Sequence, residues 1–351
     1  MHTLIVLKGR SFKHNLPLTD ISDLLAAPNT IVWLDIQNPT DADVALLAEE
    51  FGFHPLAIED ATRSHERPKV DAYPSAESLE EEAPEAAAAP ASVEEPDEAV
   101  PASGGYYFVV FYEAAFDPAE DRIVTEAINL FIGANYLVTV HQGDIRHVKE
   151  TLARWQTPNS PLGNSVAALV HALLDSIVDD YFPLMDRVAD RVEDLEDAIF
   201  VHYEEESIQT MFGLKRDLLS LRRVVAPERD VLNVLLRREL PIFRPADLAY
   251  LQDIYDHLVR VTDNIDTYRD LLSSALDSYL SLQSNNLNQV VKILTIASII
   301  LMAASLIAGI YGMNFVHMPE LQWRLGHGFA ILLMIIVTAG LVIYFKRKRW
   351  L

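Results

Sequence analysis

Three regimes of hydrophobic and polar spacing divide this chain. Over residues 1–150, short runs rich in β-branched and aromatic residues predict strands at Thr3–Leu7, Ile31–Asp35, Tyr106–Tyr112, Ala127–Ile132 and Tyr136–His141. A helical pattern over Ala42–Glu50 follows Asn38-Pro39-Thr40, a helix-start signal. From Ser165 the spacing turns helical almost without interruption. It predicts one acid-dense helix over Ser165–Glu206 and a second over Ser207–Leu236 that carries Lys215, Arg216, Arg222 and Arg223, with Pro241 and Pro245 as breakers. Ala246–Met313 then holds no proline, and its only glycines are Gly309 and Gly312. A helix of that length spans about 100 Å at 1.5 Å per residue. Such a rod needs partners, either neighbouring helices or copies of itself.

The third regime is apolar. Ile293–Met313 and Phe329–Phe345 carry no charge, and each is long enough to span a bilayer. A buried hairpin in a soluble core would not end in Lys346, Arg347, Lys348 and Arg349. Lys292 opens the first run, while the connection Asn314–Gly328 sets Arg324 against Glu320. Basic flanks stay in the cytoplasm. The pattern therefore predicts a multi-pass protein of the cell's inner (plasma) membrane with both termini cytoplasmic. The expected organisation is a cytoplasmic α/β domain over 1–160, long helices including a stalk over 165–290 and a first transmembrane helix over 291–313. An external loop over 314–328, a second span over 329–345 and a basic tail over 346–351 complete it.

Charge and composition narrow the chemistry. The 351 residues carry 28 Lys and Arg against 51 Asp and Glu, a formal net charge of −23. A nucleic-acid partner is thereby disfavoured, because it requires clustered basic residues. With no cysteine there is no thiolate metal site, disulfide or cysteine nucleophile. No nucleophile–base motif, HExxH pair or GxxxxGK[ST] sequence appears, so the chain reads as neither an enzyme nor an ATP-driven pump, and no organic cofactor is expected. Residues 75–100 hold nine acids and no Lys or Arg, too little apolar surface to offset ordering entropy. They read as a disordered acidic insertion, tolerated at the surface or weakly attracting divalent cations.

One stripe of the longest helix stands out. Stepping by alternating threes and fours from Asn288 gives Val291, Thr295, Ser298, Met302, Ser305, Gly309 and Gly312. This seven-residue repeat keeps one seam toward a supercoil axis. Small residues also serve close helix packing in membranes. Backwards, however, the seam continues through Ser284, Ser281, Asp277, Ser274, Asp270, Thr267 and Asp263. Three Asp in line suit a water-filled axis better than a dry interface, where unpaired carboxylates are costly.

The first span closes at Tyr311-Gly312-Met313-Asn314, and Met318-Pro319-Glu320-Leu321 and the basic tail follow. His54-Pro55-Leu56-Ala57-Ile58-Glu59-Asp60 and Glu66-Arg67-Pro68-Lys69-Val70 lie near the other end. In these motifs the chain resembles the CorA family of magnesium transporters. The resemblance implies a funnel-shaped homopentamer in the bilayer, with an α+β cytoplasmic domain, long helices and two C-terminal transmembrane helices, the first lining the pore. It implies Mg²⁺ as both cargo and regulator, with Co²⁺ or Ni²⁺ as possible further cargo. Asn314 would form the outer selectivity ring, supported by Gly312 and Met313. Met302 and Leu294 would be apolar constrictions, Asn288 a polar ring and Asp277 an acidic ring at the neck. Val316 and His317 stand where many relatives carry an acid, so capture of cations in the external loop leans on Glu320.

On the stalk, Asp253, Asp256 and His257 cluster within one turn, and Asp175 and Asp179 repeat the i, i+4 spacing. Relatives place regulatory magnesium between subunits using acids from these regions, so these five residues are the expected regulatory metal ligands. Two other readings remain. One is a Zn²⁺, Co²⁺ or Ni²⁺ transporter of the same architecture, although zinc usually recruits Cys or His and only His317 and His327 in the outer loop hint at it. The other is a membrane-anchored sensor, which has no reason to keep a polar seam.

Overall fold

The computed structural model describes residues 1–9, 11–14, 16–63, 67–74, 105–157, 165–201, 205–237, 242–313, 323 and 325–350, with side chains for all but 199–201 and 205–207. The acidic insertion lies outside the described residues. Two compact units are present, Met1–Ser273 and Ser274–Leu351.

The first unit is built on a seven-stranded sheet. Its strands are β1 (His2–Lys8), β2 (Ser11–His14), β3 (Thr30–Gln37), β4 (Lys69–Tyr73), β5 (Tyr106–Asp117), β6 (Arg122–Ile132) and β7 (Tyr136–His141), in the order β2-β1-β3-β7-β6-β5-β4. Among the described residues only β3 and β7 pair in parallel, with Leu34 opposite Val138. Both faces of the sheet are covered, so the central strands read as near-continuous apolar runs. On one face Val32, Leu34, Phe108, Phe131 and Val138 meet α1 (Ile21–Ala26), α2 (Asp41–Phe51) and α3 (Pro55–Thr62). Phe53 stacks on Phe131 there at 4.1 Å. Helix α2 starts directly after Asn38-Pro39-Thr40, the predicted start signal, where the Thr40 N–H and hydroxyl both donate to Asp43 Oδ2 at 2.7 Å, a capping box. It stops at Gly52, whose φ of +64° suits glycine.

The other face carries Trp33, Tyr107, Val109, Phe111 and Leu130, all fully buried. Covering it are α4 (Arg146–Trp155), α5 (Val166–Asp179), α6 (Tyr181–Val201) and α7 (Glu205–Arg237). The single helix expected over Ser165–Glu206 is thus two. Pro183 explains the break, because it has no N–H for the carbonyl four residues back and is tolerated only in a first turn. Side chains then hold the joint. Asp180 accepts from the Arg146 guanidinium and faces His147 Nε2 at 3.1 Å, and the Tyr181 hydroxyl donates to the Tyr112 carbonyl at 2.8 Å. Beside Tyr181 lies Glu228, fully buried, which accepts the Tyr112 N–H at 3.0 Å. Burial pushes its carboxyl up to about 8.

Helix α8 runs without interruption over Leu248–Tyr311, as the lack of proline predicts. The second unit consists of its distal part and α9 (Gly326–Arg347). Both helices are long and apolar enough to cross a membrane.

Candidate functional site

Two features of α8 carry candidate chemistry. The first lies in the first unit, where α8 faces α5. Ser165 caps α5 by accepting the Ala168 N–H at 3.2 Å. From there the apolar residues Leu169, Val170, Leu173, Leu174 and Ile177 turn inward and are fully buried. Helical spacing leaves His171, Asp175 and Asp179 on one outer stripe, at i, i+4 and i+8. On α8 the buried residues Leu251, Ile254, Leu258 and Val261 define the inner face, which brings His257 up against the α5 stripe.

There, one ligand atom from each of Asp175, Asp179 and His257 lies within 4.8 Å of the others. His257 Nδ1 stands 3.5 Å from Asp179 Oδ1, and that nitrogen is buried without a hydrogen-bond partner among the described residues. The ring is held edge-on by Phe182 at 5.4 Å. Asp253 Oδ1 approaches the other ring nitrogen at 4.0 Å from an exposed position. Burial pushes the Asp175 carboxyl up, and the like charges of Asp179 and Asp253 add to this against the pull of His171 and His257. An unpaired imidazole nitrogen facing two carboxylates, one of them disfavoured as an anion, is a donor set that a divalent cation would stabilise.

Of the five expected ligands, the fold therefore gathers Asp175, Asp179 and His257, with Asp253 at the margin. Asp256 instead accepts from the Gln252 amide at 3.0 Å and is not part of the trio. His171 was not among the expected ligands, yet its Nε2 lies 4.0 Å from Asp175 Oδ1. Its signal was available, since His171, Asp175 and Asp179 share one spacing. What the sequence did not display was which face of α5 the sheet would bury.

The second feature is the seam. Every position from Asp263 through Thr267, Asp270, Ser274, Asp277, Ser281, Ser284, Asn288, Val291, Thr295, Ser298, Met302, Ser305 and Gly309 to Gly312 is exposed. The Thr295 hydroxyl donates to the Val291 carbonyl at 2.8 Å, which satisfies its proton and leaves oxygen lone pairs outward. Leu294 and Met302 are about two-thirds exposed, at 67% and 69%. At Gly309 an added Cβ would meet open space, while at Gly312 it would come within 3.1 Å of the Ala308 carbonyl as the helix ends. Met313 is described and half exposed; Asn314 and Glu320 lie outside the described residues.

Comparison with known proteins converges on one group. A family model described as CorA-like Mg2+ transporter protein matches residues 28–80 and 84–347. The chain is 32% identical over 338 residues to the cobalt/magnesium transport protein CorA of Thermotoga maritima, covering 95% of this chain and 88% of that protein. A more distant relative is the zinc transport protein ZntB of Klebsiella pneumoniae, 23% identical over 67% of this chain and 70% of that one. Among solved structures, the complete CorA magnesium transporter from Methanocaldococcus jannaschii shares the fold, with a TM-score of 0.77 and 24% identity over 99% of this chain and 98% of that one.

Proposed function

Because the chain belongs to the CorA-like Mg²⁺ transporter family, we propose that it is a passive, potential-driven Mg²⁺ uptake channel, and that the seam of α8 lines its pore in a ring of five copies. The observation that carries this reading is the seam itself: fifteen positions in heptad register, all exposed, running from carboxylates through hydroxyls to glycines. Copies arranged around an axis would turn these stripes toward one another.

The chemistry suits magnesium. This ion keeps an octahedral water shell and dehydrates reluctantly. Hydroxyls and amides hold that shell without stripping it, and conduction needs binding weak enough for release. A divalent ion gains about 4.6 kcal/mol per 100 mV of inside-negative potential, twice the unit-charge figure. Asn314, with Gly312 and Met313, would form the outer filter, Leu294 and Met302 would be apolar constrictions, and Glu320 would capture ions. Asp277 would ring the inner neck. Both termini and the first unit would face the cytoplasm of the inner membrane.

Gating follows from the metal centre. Mg²⁺ at Asp175, Asp179 and His257, shared with Asp253 of an adjacent copy, would lock the pore when the ion is abundant. Its loss would leave like charges that loosen the ring. The decisive experiment is Mg²⁺ uptake into proteoliposomes under an inside-negative potential, comparing wild type with Asn314→Ala. Uptake that vanishes in the variant supports the pore and its filter. Zn²⁺ uptake with negligible Mg²⁺ flux would assign the chain to the transition-metal reading. No flux of either ion at low internal Mg²⁺ would leave a sensor.

A further inference from the structure

We propose that the basic end of the second unit is a binding surface for anionic phospholipid headgroups. This inference rests on the reading that α8 and α9 span a bilayer. The last turn of α9 closes through Arg349, whose φ is +55°. Arg349 N donates to the Lys346 carbonyl at 3.1 Å, and Trp350 N to the Phe345 carbonyl at 2.9 Å. The Trp350 ring then stacks on Phe345, with centroids 5.9 Å apart. Glycine normally takes such a left-handed position. Here a long cation occupies it, so charge is kept where conformational ease favours its loss.

Lys292 reaches the same spot from α8. Its Nζ donates to the Arg349 carbonyl at 3.1 Å and lies 6.0 Å from the Trp350 ring centroid. The basic ends of the two apolar helices thereby meet at Arg349 and Trp350, whose indole is about half exposed. From Ser274 onward the sequence offers only two side-chain carboxylates, Asp277 and Glu320. Among the described residues no carboxylate pairs with Lys292, Lys346, Lys348 or Arg349. Among the described residues it is thus an unneutralised positive site in a chain of net charge −23.

Its position selects the partner. Lys346 directly follows Phe345, the last apolar residue of α9, so the cluster sits at headgroup depth beside the aromatic rings of Tyr344 and Trp350. A lipid phosphodiester reaches that layer with its own acyl chains along the helices. An acidic protein segment would have to enter the headgroup region to do the same.

The test uses the full-length chain with Trp323→Phe, reconstituted in phosphatidylcholine containing a minority of phosphatidylglycerol, with bromine on the acyl chains of one lipid or the other. Trp33 and Trp155 are buried in the first unit and supply an unquenched background. Quenching of Trp350 per mole of brominated phosphatidylglycerol should exceed that by brominated phosphatidylcholine about fivefold for each engaged cation. Lys346→Gln, Lys348→Gln and Arg349→Gly together, the last preserving the left-handed turn, should lower that preference by about fivefold for each engaged cation removed. Equal quenching in wild type would overturn the proposal. A preference abolished by inorganic phosphate would overturn it in favour of the free anion. No quenching by either lipid would refute the bilayer reading on which the proposal rests.

Discussion

The two parts of helix α8 obey one sequence rule and meet different surroundings. Over Leu248–Ser273 the seam is exposed and the opposite face buries Leu251, Ile254, Leu258, Val261, Ile265 and Leu272 against its own unit. Over Ser274–Tyr311 the same seam continues, but only Ala275, Tyr279 and Ile296 are buried. The heptad phase thus outlasts the protein core that first accounts for it. The proposed pore would supply a second reason for it.

Substitutions can break this contrast. The largest effect belongs to the distal seam: Ser298→Leu should cut Mg²⁺ flux in proteoliposomes by about tenfold or more, because in the proposed pore an apolar ring would replace a hydroxyl ring. Ile299→Leu, one residue off the seam, should leave flux near wild type. Loss of flux in both would show that the stripe has no special standing.

Next comes pH, which should act on the first unit through Glu228. Glu228 is held neutral, with its carboxyl raised from 4.5 to about 8. A raised acid binds more protons folded than unfolded, so stability falls as pH climbs from about 4.5 to about 8 and is level above that. The full span corresponds to at most on the order of 5 kcal/mol. Glu228→Gln keeps the acceptor for the Tyr112 N–H and should flatten the curve; an unchanged slope in denaturant titrations at several pH values would contradict this. A smaller effect separates the two parts of α8 directly. Leu258→Ala should cost about 3 kcal/mol in thermal unfolding, whereas Leu301→Ala, 67% exposed, should cost about 0.5 kcal/mol or less.

The last prediction concerns regulation. Asp175→Asn and His257→Ala should each raise the internal Mg²⁺ concentration that halves flux by about tenfold, the scale of losing one metal partner. An unchanged inhibition curve in both would remove the metal centre from gating.

Much of this was legible because it depends on spacing. Strand β3, the uninterrupted α8 and both apolar helices follow from runs whose period or length admits one solution. Helix α4 was missed because its buried face includes His147 and Thr151, which a hydrophobic pattern does not count. Strand β2, Ser11–His14, is an exposed edge with no apolar alternation to display. Strands β5 and β6 extend to Asp117 and from Arg122, farther than their apolar cores, because hairpin pairing carries polar residues along. At the candidate metal centre the i, i+4 spacing was readable. The approach of α5 to α8 was not, since it depends on how both helices bury their inner faces. Asp256 shows the limit: next to His257 in sequence, it turns to Gln252 instead.

Tyr73 and Tyr106 pair directly across strands β4 and β5, and their rings stack 4.9 Å apart. Strand β4 therefore ends and β5 begins at a single rung of the sheet. For such a hairpin, each doubling of the intervening length costs only about 0.6 kcal/mol in closure entropy. That rung is a port for graft engineering: a reporter domain whose own ends lie close together should be spliced there without disturbing strand register, and the fold can accept evolutionary length drift at the same place.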